Sequence, residues 1–127
     1  MVGANFNKDE TLTYIEQLIN TNPLILFMKG TATMPRCGFS KRTADCLQEC
    51  GYPFVTVDVV SEQGAGIRRY LPEFSNWPTF PQLFLKGELI GGCDIVTEMH
   101  ENGEFKELLD QQLKDVIMVG DSLATEN

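Results

Sequence analysis

Residues 24–50 read LILFMKGTATMPRCGFSKRTADCLQEC, and this stretch decides the fold. It begins with a continuous apolar run, 24–28, whose length and composition are typical of a strand buried on both faces. After a loop with proline and arginine, the apolar spacing is helical from Cys37 to Cys50, and Gly51 stands just past its end. The stretch therefore predicts a strand, a loop and a helix, with Cys37 where the helix begins.

The position of Cys37 favours a reactive thiol. The first N–H groups of a helix have no intrahelical partner, and the helix dipole places partial positive charge there. Both effects stabilise a thiolate, so the position suits a nucleophile or a ligand for a soft metal. A dithiol redox motif would have its second cysteine three residues further on, and Ser40 occupies that position. The sequence therefore predicts a site that works with one cysteine.

The remaining elements follow a regular order along the chain. Apolar spacing and turn residues predict a first helix over 7–20, a strand over 54–59, a helix over 61–70, strands over 82–85 and 88–90, a short helix capped by Asp94, and a last helix over 105–113. A βαβ unit followed by a hairpin and a helix gives a four-stranded mixed sheet with helices on both faces. This α/β layout is similar to the thioredoxin-like fold.

One domain accounts for most of the chain. Its 127 residues are enough to bury one hydrophobic core without disulfides or metals. We assign a single domain to residues 7–113 and treat 1–6 and 114–127 as terminal extensions, which are candidates for disorder. The C-terminal extension contains an apolar run, 116–119, that we do not place in the fold.

Charge and composition argue against several classes of partner. The formal net charge is −8 at pH 7, and nucleic acids and anionic membranes attract positive charge instead. No apolar run approaches the roughly 20 residues that span a bilayer. The first residues do not have a basic region followed by an apolar stretch, so a secretory signal is not predicted. We therefore expect no nucleic-acid partner and no membrane insertion.

The cysteines indicate a reducing compartment. Cys46 and Cys50 are one turn apart on the predicted helix, which separates their Cβ atoms by about 5–6 Å. A disulfide needs roughly 3.5–4.5 Å between Cβ atoms, so we interpret both as small apolar core residues. We expect a cytoplasmic protein, or one of the mitochondrial matrix or another organelle if the chain is a processed form.

Four motifs occur in one order along the chain. They are Lys29, Cys37-Gly38-Phe39-Ser40, Trp77-Pro78-Thr79-Phe80-Pro81-Gln82-Leu83 and Gly91-Gly92-Cys93-Asp94. Together they resemble the monothiol glutaredoxins of the CGFS class, and the resemblance runs from about the first helix to the last. It implies the glutaredoxin form of the thioredoxin-like fold, with Cys37 as the active cysteine.

The resemblance implies that glutathione binds beside Cys37. In that family two protomers share one 2Fe–2S cluster, which is held by the active cysteine of each and by one glutathione thiolate on each. A homodimer is then expected when the cluster is bound, with BolA-type proteins and apo iron–sulfur clients as further partners. The chemistry agrees, because iron–sulfur clusters prefer thiolates and one exposed cysteine per chain cannot complete a cluster alone.

The resemblance also implies which residues contact glutathione, an acidic tripeptide with two carboxylates and one amine. They are Lys29 and Arg68 for the glycine carboxylate, Thr79, Phe80 and the cis-proline Pro81 for pairing with the peptide backbone, and Cys93 and Asp94 for the γ-glutamyl end. The glycine-rich connection before Arg68 leaves Arg69 as an alternative. Cys93 either lines the site or forms a disulfide with Cys37.

Two functions follow, and they belong to different classes. The first is a glutathione-dependent carrier that binds and transfers a 2Fe–2S cluster, which the serine at position 40 favours. The alternative is a glutathione-dependent oxidoreductase that reduces protein–glutathione mixed disulfides by a one-cysteine mechanism. A redox-sensing adaptor, controlled by oxidation of Cys37 and Cys93, is a third hypothesis.

Overall fold

The element order of the structure, a computed structural model that describes residues 6–114, is the one that the sequence predicts. The predictions for residues 1–5 and 115–127, including the apolar run 116–119, lie outside the described residues. The elements are α1 (Lys8–Thr21), β1 (Leu24–Met28), α2 (Gly38–Cys50), β2 (Val55–Asp58), α3 (Ala65–Ser75), β3 (Gln82–Leu85), β4 (Glu88–Gly91), α4 (Cys93–Glu101) and α5 (104–114).

The strands form one mixed sheet in the order β2-β1-β3-β4. Strand β1 runs parallel to β2 and antiparallel to β3, and β4 runs antiparallel to β3. Because of these directions, the carboxyl ends of β1, β2 and β4 and the amino end of β3 lie at the same edge of the sheet. The predicted four-stranded mixed sheet is confirmed, and its connectivity brings distant parts of the chain to one edge.

Two apolar cores hold β1 at the centre of the sheet. Every side chain of β1 is buried, which confirms the prediction of a strand covered on both faces. Leu24, Leu26 and Met28 belong to the core shared with α2, α4 and α5, while Ile25 and Phe27 belong to the core shared with α1 and α3. This alternation follows from the two-residue period of a strand. Burial of each large apolar side chain contributes about 1.5–3 kcal/mol, so both faces are held by packing.

Helix α1 begins with a capping box formed by Asn7 and Glu10. The side chain of Asn7 accepts a hydrogen bond from the Glu10 N–H at 2.8 Å, and the Glu10 carboxylate accepts one from the Asn7 N–H at 3.0 Å. Two N–H groups at the helix start are thereby satisfied. None of the helices described within residues 6–114 has both the length and the apolar character needed to cross a bilayer.

Helix α3 lies four to five residues later than predicted, so both predicted ends were wrong. Residues 61–64 form a turn instead, in which the Ser61 hydroxyl accepts a hydrogen bond from the Gly64 N–H at 3.1 Å. Gly64 lies so close to β2 that an added Cβ would stand 2.1 Å from the Asp58 carbonyl oxygen. Pro72 lies inside the helix, where it removes the hydrogen bond that an N–H would donate to the Arg68 carbonyl oxygen, and the helix nevertheless continues to Ser75.

Helix α4 begins two residues earlier than a cap at Asp94 would place it. Gly92 is the N-cap and Cys93 is the first helical residue, which leaves Asp94 in the first turn. Gly92 passes close to β3, since a Cβ there would lie 3.1 Å from the Pro81 carbonyl oxygen. Within α4, Ile95 is 37% exposed, while Val96 is buried. The N-cap of α4 therefore lies close against the backbone at Pro81.

Candidate functional site

A cleft of about 810 Å³ opens at the edge of the sheet where β1 and β4 end and β3 begins. Its walls include all the site residues that the sequence predicts, which are Lys29, Cys37, Arg68, Thr79, Phe80, Pro81, Cys93 and Asp94. These residues come from four separate parts of the chain. They share one surface because the strand directions bring their loops to the same edge.

Cys37 is the N-cap of α2 and is half-buried at the cleft. The neutral thiol makes no side-chain capping bond, but the surroundings favour the thiolate. Hydrogen bonding from the backbone N–H of Ser40 is the main cause that lowers the pKa of Cys37, and partial burial opposes it. The Phe39 N–H, the Ser40 hydroxyl and the charge of Lys29 lower the pKa further. The predicted activation of this thiol at a helix start therefore has an identified structural source.

Ser40 does more than replace a second cysteine, because its hydroxyl takes part in hydrogen bonding at the site. Its side chain is fully buried, and its hydroxyl oxygen accepts a hydrogen bond from the backbone N–H of Lys29 at 3.1 Å. The hydroxyl hydrogen is left to donate towards the Cys37 sulfur, in keeping with its effect on the pKa of that thiol. Sequence reasoning missed this role. The available signal was a polar residue on the same helix face as buried Thr43 and Leu47.

The loop between β1 and α2 brings Lys29 beside Cys37. The Lys29 carbonyl accepts a hydrogen bond from the Arg36 N–H at 2.9 Å, so the loop folds back on its own start. Gly30 has a positive φ of 91°, and a Cβ there would lie 2.5 Å from the Met34 carbonyl oxygen. Only glycine fits this close approach. The loop is therefore held at its base, and Lys29 lies at the cleft.

Arg68, and not Arg69, faces the cleft. Arg68 forms part of the cleft wall, whereas the Arg69 guanidinium lies 5.3 Å from the ring centroid of Tyr70. Of the two arginines, Arg68 is therefore the one that lies at the cleft. Within residues 6–114 neither Lys29 nor Arg68 takes part in a salt bridge. Both cations are therefore free to meet an external carboxylate.

The opposite wall of the cleft comes from the loop before β3 and from the start of α4. The Phe80–Pro81 peptide bond is cis, as the resemblance implied. Cys93 is buried as a free thiol, with its sulfur 3.6 Å from the Thr97 hydroxyl oxygen. Asp94 is exposed in the first turn of α4. This wall therefore offers the loop backbone before β3 beside a helix N-terminus and one carboxylate.

The other helical cysteines are core residues, as predicted. Cys46 and Cys50 are 5% and 6% exposed and belong to the core shared with α4 and α5. Burial is the main cause that raises the pKa of each thiol. Both therefore remain protonated and unreactive at neutral pH.

Comparison with known proteins agrees with this geometry. The family model described as glutaredoxin matches residues 24–90. A monothiol glutaredoxin of rice is 52% identical over 94 residues, which are 74% of this chain but only 19% of the rice protein. Glutaredoxin 4 of Haemophilus ducreyi is 51% identical over 100 residues, which are 79% of this chain and 92% of that protein.

A solved structure adds the fold to this likeness. A glutaredoxin–glutathione complex from buckwheat superposes with a TM-score of 0.70 at 30% identity, covering 82% of this chain and 91% of the buckwheat chain. The architecture is thus the thioredoxin-like fold of the glutaredoxins. Since Ser40 stands where a dithiol motif has its second cysteine, the chain belongs to the glutaredoxin family and to its monothiol members.

Proposed function

We propose that this chain binds glutathione in the cleft and carries a 2Fe–2S cluster between two copies of itself, for transfer to other proteins. One observation carries the proposal: the activated thiol of Cys37 stands in a cleft that also offers two cations, neither of which forms a salt bridge within residues 6–114. Ser40 fills the place where a resolving thiol would compete for Cys37. The thiol is therefore available for a lasting bond to metal.

Glutathione matches the chemistry of the cleft walls. Lys29 and Arg68 offer positive charge to one carboxylate, and the first turn of α4 offers N–H groups to the other. Asp94 in that turn offers a carboxylate to the ligand's ammonium group. The backbone at Phe80 runs along the wall, where an extended peptide pairs with it as an added strand. The buckwheat relative, whose structure is a complex with glutathione, supports the same ligand here.

The donor set fits a cluster that is shared between copies. Cys37 is half-buried, while the other free cysteines are buried. Within residues 6–114 no group of three or more His, Cys, Asp or Glu side chains is placed to hold a metal ion. One copy therefore supplies one protein thiolate, and the bound glutathione and a second copy supply the others that an iron–sulfur cluster requires. Phe39, a cleft residue that is 59% exposed, would be covered by the second copy.

The lowered pKa of Cys37 also supports a second candidate function, reduction of protein–glutathione mixed disulfides. The Cys37 thiolate attacks the glutathione sulfur, a Cys37–glutathione disulfide forms, and the substrate protein leaves as a thiolate that takes up a proton. The thiolate of a second glutathione then attacks that disulfide. Glutathione disulfide leaves, and the Cys37 thiolate is restored, so the cycle needs no other cysteine.

Anaerobic reconstitution with iron, sulfide and glutathione tests the carrier function. We expect two iron and two sulfide per dimer, an absorption spectrum typical of a 2Fe–2S cluster, and dimer elution that reverts when the cluster is removed. Omitting glutathione abolishes the cluster, because the glutathione thiolates that complete its ligand set are then missing. Cys37→Ser abolishes it as well, whereas Cys50→Ala, which changes only a core thiol, retains it.

Two outcomes separate the candidates. A cluster that survives in Cys37→Ser contradicts the carrier proposal. The reductase is favoured if the intact chain binds no cluster and turns over a glutathionylated protein substrate as fast as dithiol glutaredoxins do. Disulfide mapping by mass spectrometry after mild oxidation tests the third hypothesis, for which a Cys37–Cys93 bond is required.

A further inference from the structure

Gln82 is a polar residue in an otherwise apolar strand. It is the first residue of β3, and it is fully buried next to Leu83, Phe84 and Leu85. Burying an amide is unfavourable unless its polar atoms are hydrogen-bonded. An apolar side chain of similar length would fill the same space without that cost. The amide is therefore retained for a contact that only a hydrogen-bond donor makes.

Both hydrogens of the Gln82 amide are used on one short segment. Its Nε2 donates to the Trp77 carbonyl oxygen at 2.8 Å and to the Thr79 carbonyl oxygen at 3.2 Å. Within the described part of the chain its Oε1 has no hydrogen-bond partner. The two donated hydrogen bonds therefore explain why a glutamine is buried here, and they fix the loop that precedes β3.

The loop before β3 that Gln82 fixes contacts the cleft in one place and the start of α4 in another. Thr79 belongs to the cleft wall together with the neighbouring Phe80 backbone. The Trp77 indole lies against Gly92, where an added Cβ would be 3.3 Å from the indole nitrogen. Gly92 is the N-cap of α4. A displacement of the Trp77 carbonyl would thus disturb both the Thr79–Phe80 backbone at the cleft and the start of α4.

We propose that Gln82 is a positioning residue: through its two donated hydrogen bonds it holds residues 77–80 in the arrangement that receives glutathione. The inference rests on the proposed binding of glutathione. Gln82 itself is not part of the cleft wall, so it acts through the carbonyl groups of Trp77 and Thr79. Its effect is on the shape of the site and not on the Cys37 thiol.

Gln82→Leu tests this role, because leucine fills similar space and donates no hydrogen bond. Two carbonyls lose their donor, and we expect glutathione affinity, measured by calorimetry with reduced glutathione, to fall about tenfold. Trp77 is the only tryptophan of the chain, so its fluorescence reports directly on the loop. In the folded variant we expect a red-shifted emission and stronger quenching by acrylamide.

Gln82→Glu adds a pH dependence that a general loss of stability does not produce. A protonated carboxyl donates one hydrogen bond, whereas a carboxylate donates none and repels the two carbonyl oxygens. Burial in an apolar strand raises the pKa of such a carboxyl. Glutathione affinity and Trp77 emission in this variant should therefore approach those of the original chain at low pH and depart from them as pH rises. The original chain, measured over the same range, should not show that emission change.

Thr11→Val is the matched control. Thr11 is also fully buried, and its hydroxyl donates to the Asn7 carbonyl oxygen at 2.9 Å, but it lies in α1 and is not part of the cleft wall. We expect lower stability with unchanged glutathione affinity and unchanged Trp77 emission. If Gln82→Leu folds, as judged by circular dichroism, and keeps the original emission and affinity, the role of Gln82 is wrong. If the original chain binds no glutathione, the proposed function fails, and the Trp77 emission of the variants still decides the role of Gln82.

Discussion

The two ends of helix α2 carry the same residue type in opposite chemical states. At its start, the Ser40 N–H is the main cause that lowers the pKa of the half-buried Cys37 thiol. In its second half, burial raises the pKa of Cys46 and of Cys50. The residues are chemically identical and share one helix. Position relative to the helix end and to the core therefore decides which thiol has a lowered pKa and which has a raised one.

Glu49 strengthens the contrast between the two ends. Its negative charge is a further cause that raises the pKa of both buried thiols, while Lys29 supplies positive charge to Cys37. The helix dipole acts in the same directions, since its positive end is at the start of the helix. At the start of the helix, hydrogen bonding and positive charge outweigh partial burial and lower the pKa of Cys37, whereas in its second half burial dominates and raises the pKa of Cys46 and Cys50.

The largest expected effect is in alkylation of the native protein. At pH 7 with iodoacetamide, we expect Cys37 to react about 100-fold faster than Cys46 or Cys50, because the thiolate is the nucleophile and burial denies access to the others. Peptide mapping by mass spectrometry over time measures each rate. In denaturant the rates should converge, which serves as the control. Native rates within about threefold of one another would contradict the assignment of distinct roles.

The sequence predicted the parts of this contrast that depend on local signals. The apolar run of β1, the helical spacing of α2 and the glycine after it are each visible within a few residues. They place Cys37 at a strand–helix junction, and helical spacing places Cys46 and Cys50 in the core. The cleft partners Lys29 and Arg68 came from a resemblance and not from spacing, because residues that meet at a sheet edge are far apart in the chain.

What sequence reasoning missed depends on tertiary contacts. Gly64 moves the start of α3 because it lies against the backbone of Asp58, and no pattern within α3 reveals that contact. The role of Ser40 depends on the Lys29 N–H from another element. The role of Gln82 depends on carbonyl groups of a loop, and a backbone carbonyl has no signature in sequence. Such contacts become visible only when the elements are placed in space.

A smaller effect is expected when the Ser40 hydroxyl is removed. Ser40→Ala keeps the backbone N–H, which is the main cause of the lowered pKa of Cys37, and loses only the side-chain contribution. The pKa should rise part of the way towards that of an ordinary thiol. Below that pKa the thiolate fraction falls, so alkylation at low pH should slow by about threefold, with no difference at high pH. The rate as a function of pH measures the change.

Thr43→Val is the control for this prediction. Thr43 is the next buried hydroxyl on the same helix face, and it donates to the Phe39 carbonyl oxygen at 2.9 Å. Thr43 is not among the groups that shift the pKa of Cys37. The alkylation rate of Cys37 in Thr43→Val should therefore depend on pH as it does in the original chain. Equal profiles for Ser40→Ala and the original chain would show that the helix N–H groups and Lys29 activate the thiol without the hydroxyl.

The smallest expected effect on Cys37 comes from the other end of the helix. Cys50→Ala removes a sulfur from the core shared with α4 and α5, and we expect the free energy of unfolding to fall by about 1 kcal/mol. Urea unfolding followed by circular dichroism measures this loss. The alkylation rate of Cys37 in the folded variant should stay within about twofold, because the charges and N–H groups that set its pKa lie in the first turn and at Lys29. A larger change in that rate would mean that the two ends of α2 are coupled through the core, and the thiol at the start of the helix would then depend on packing as well as on its local donors.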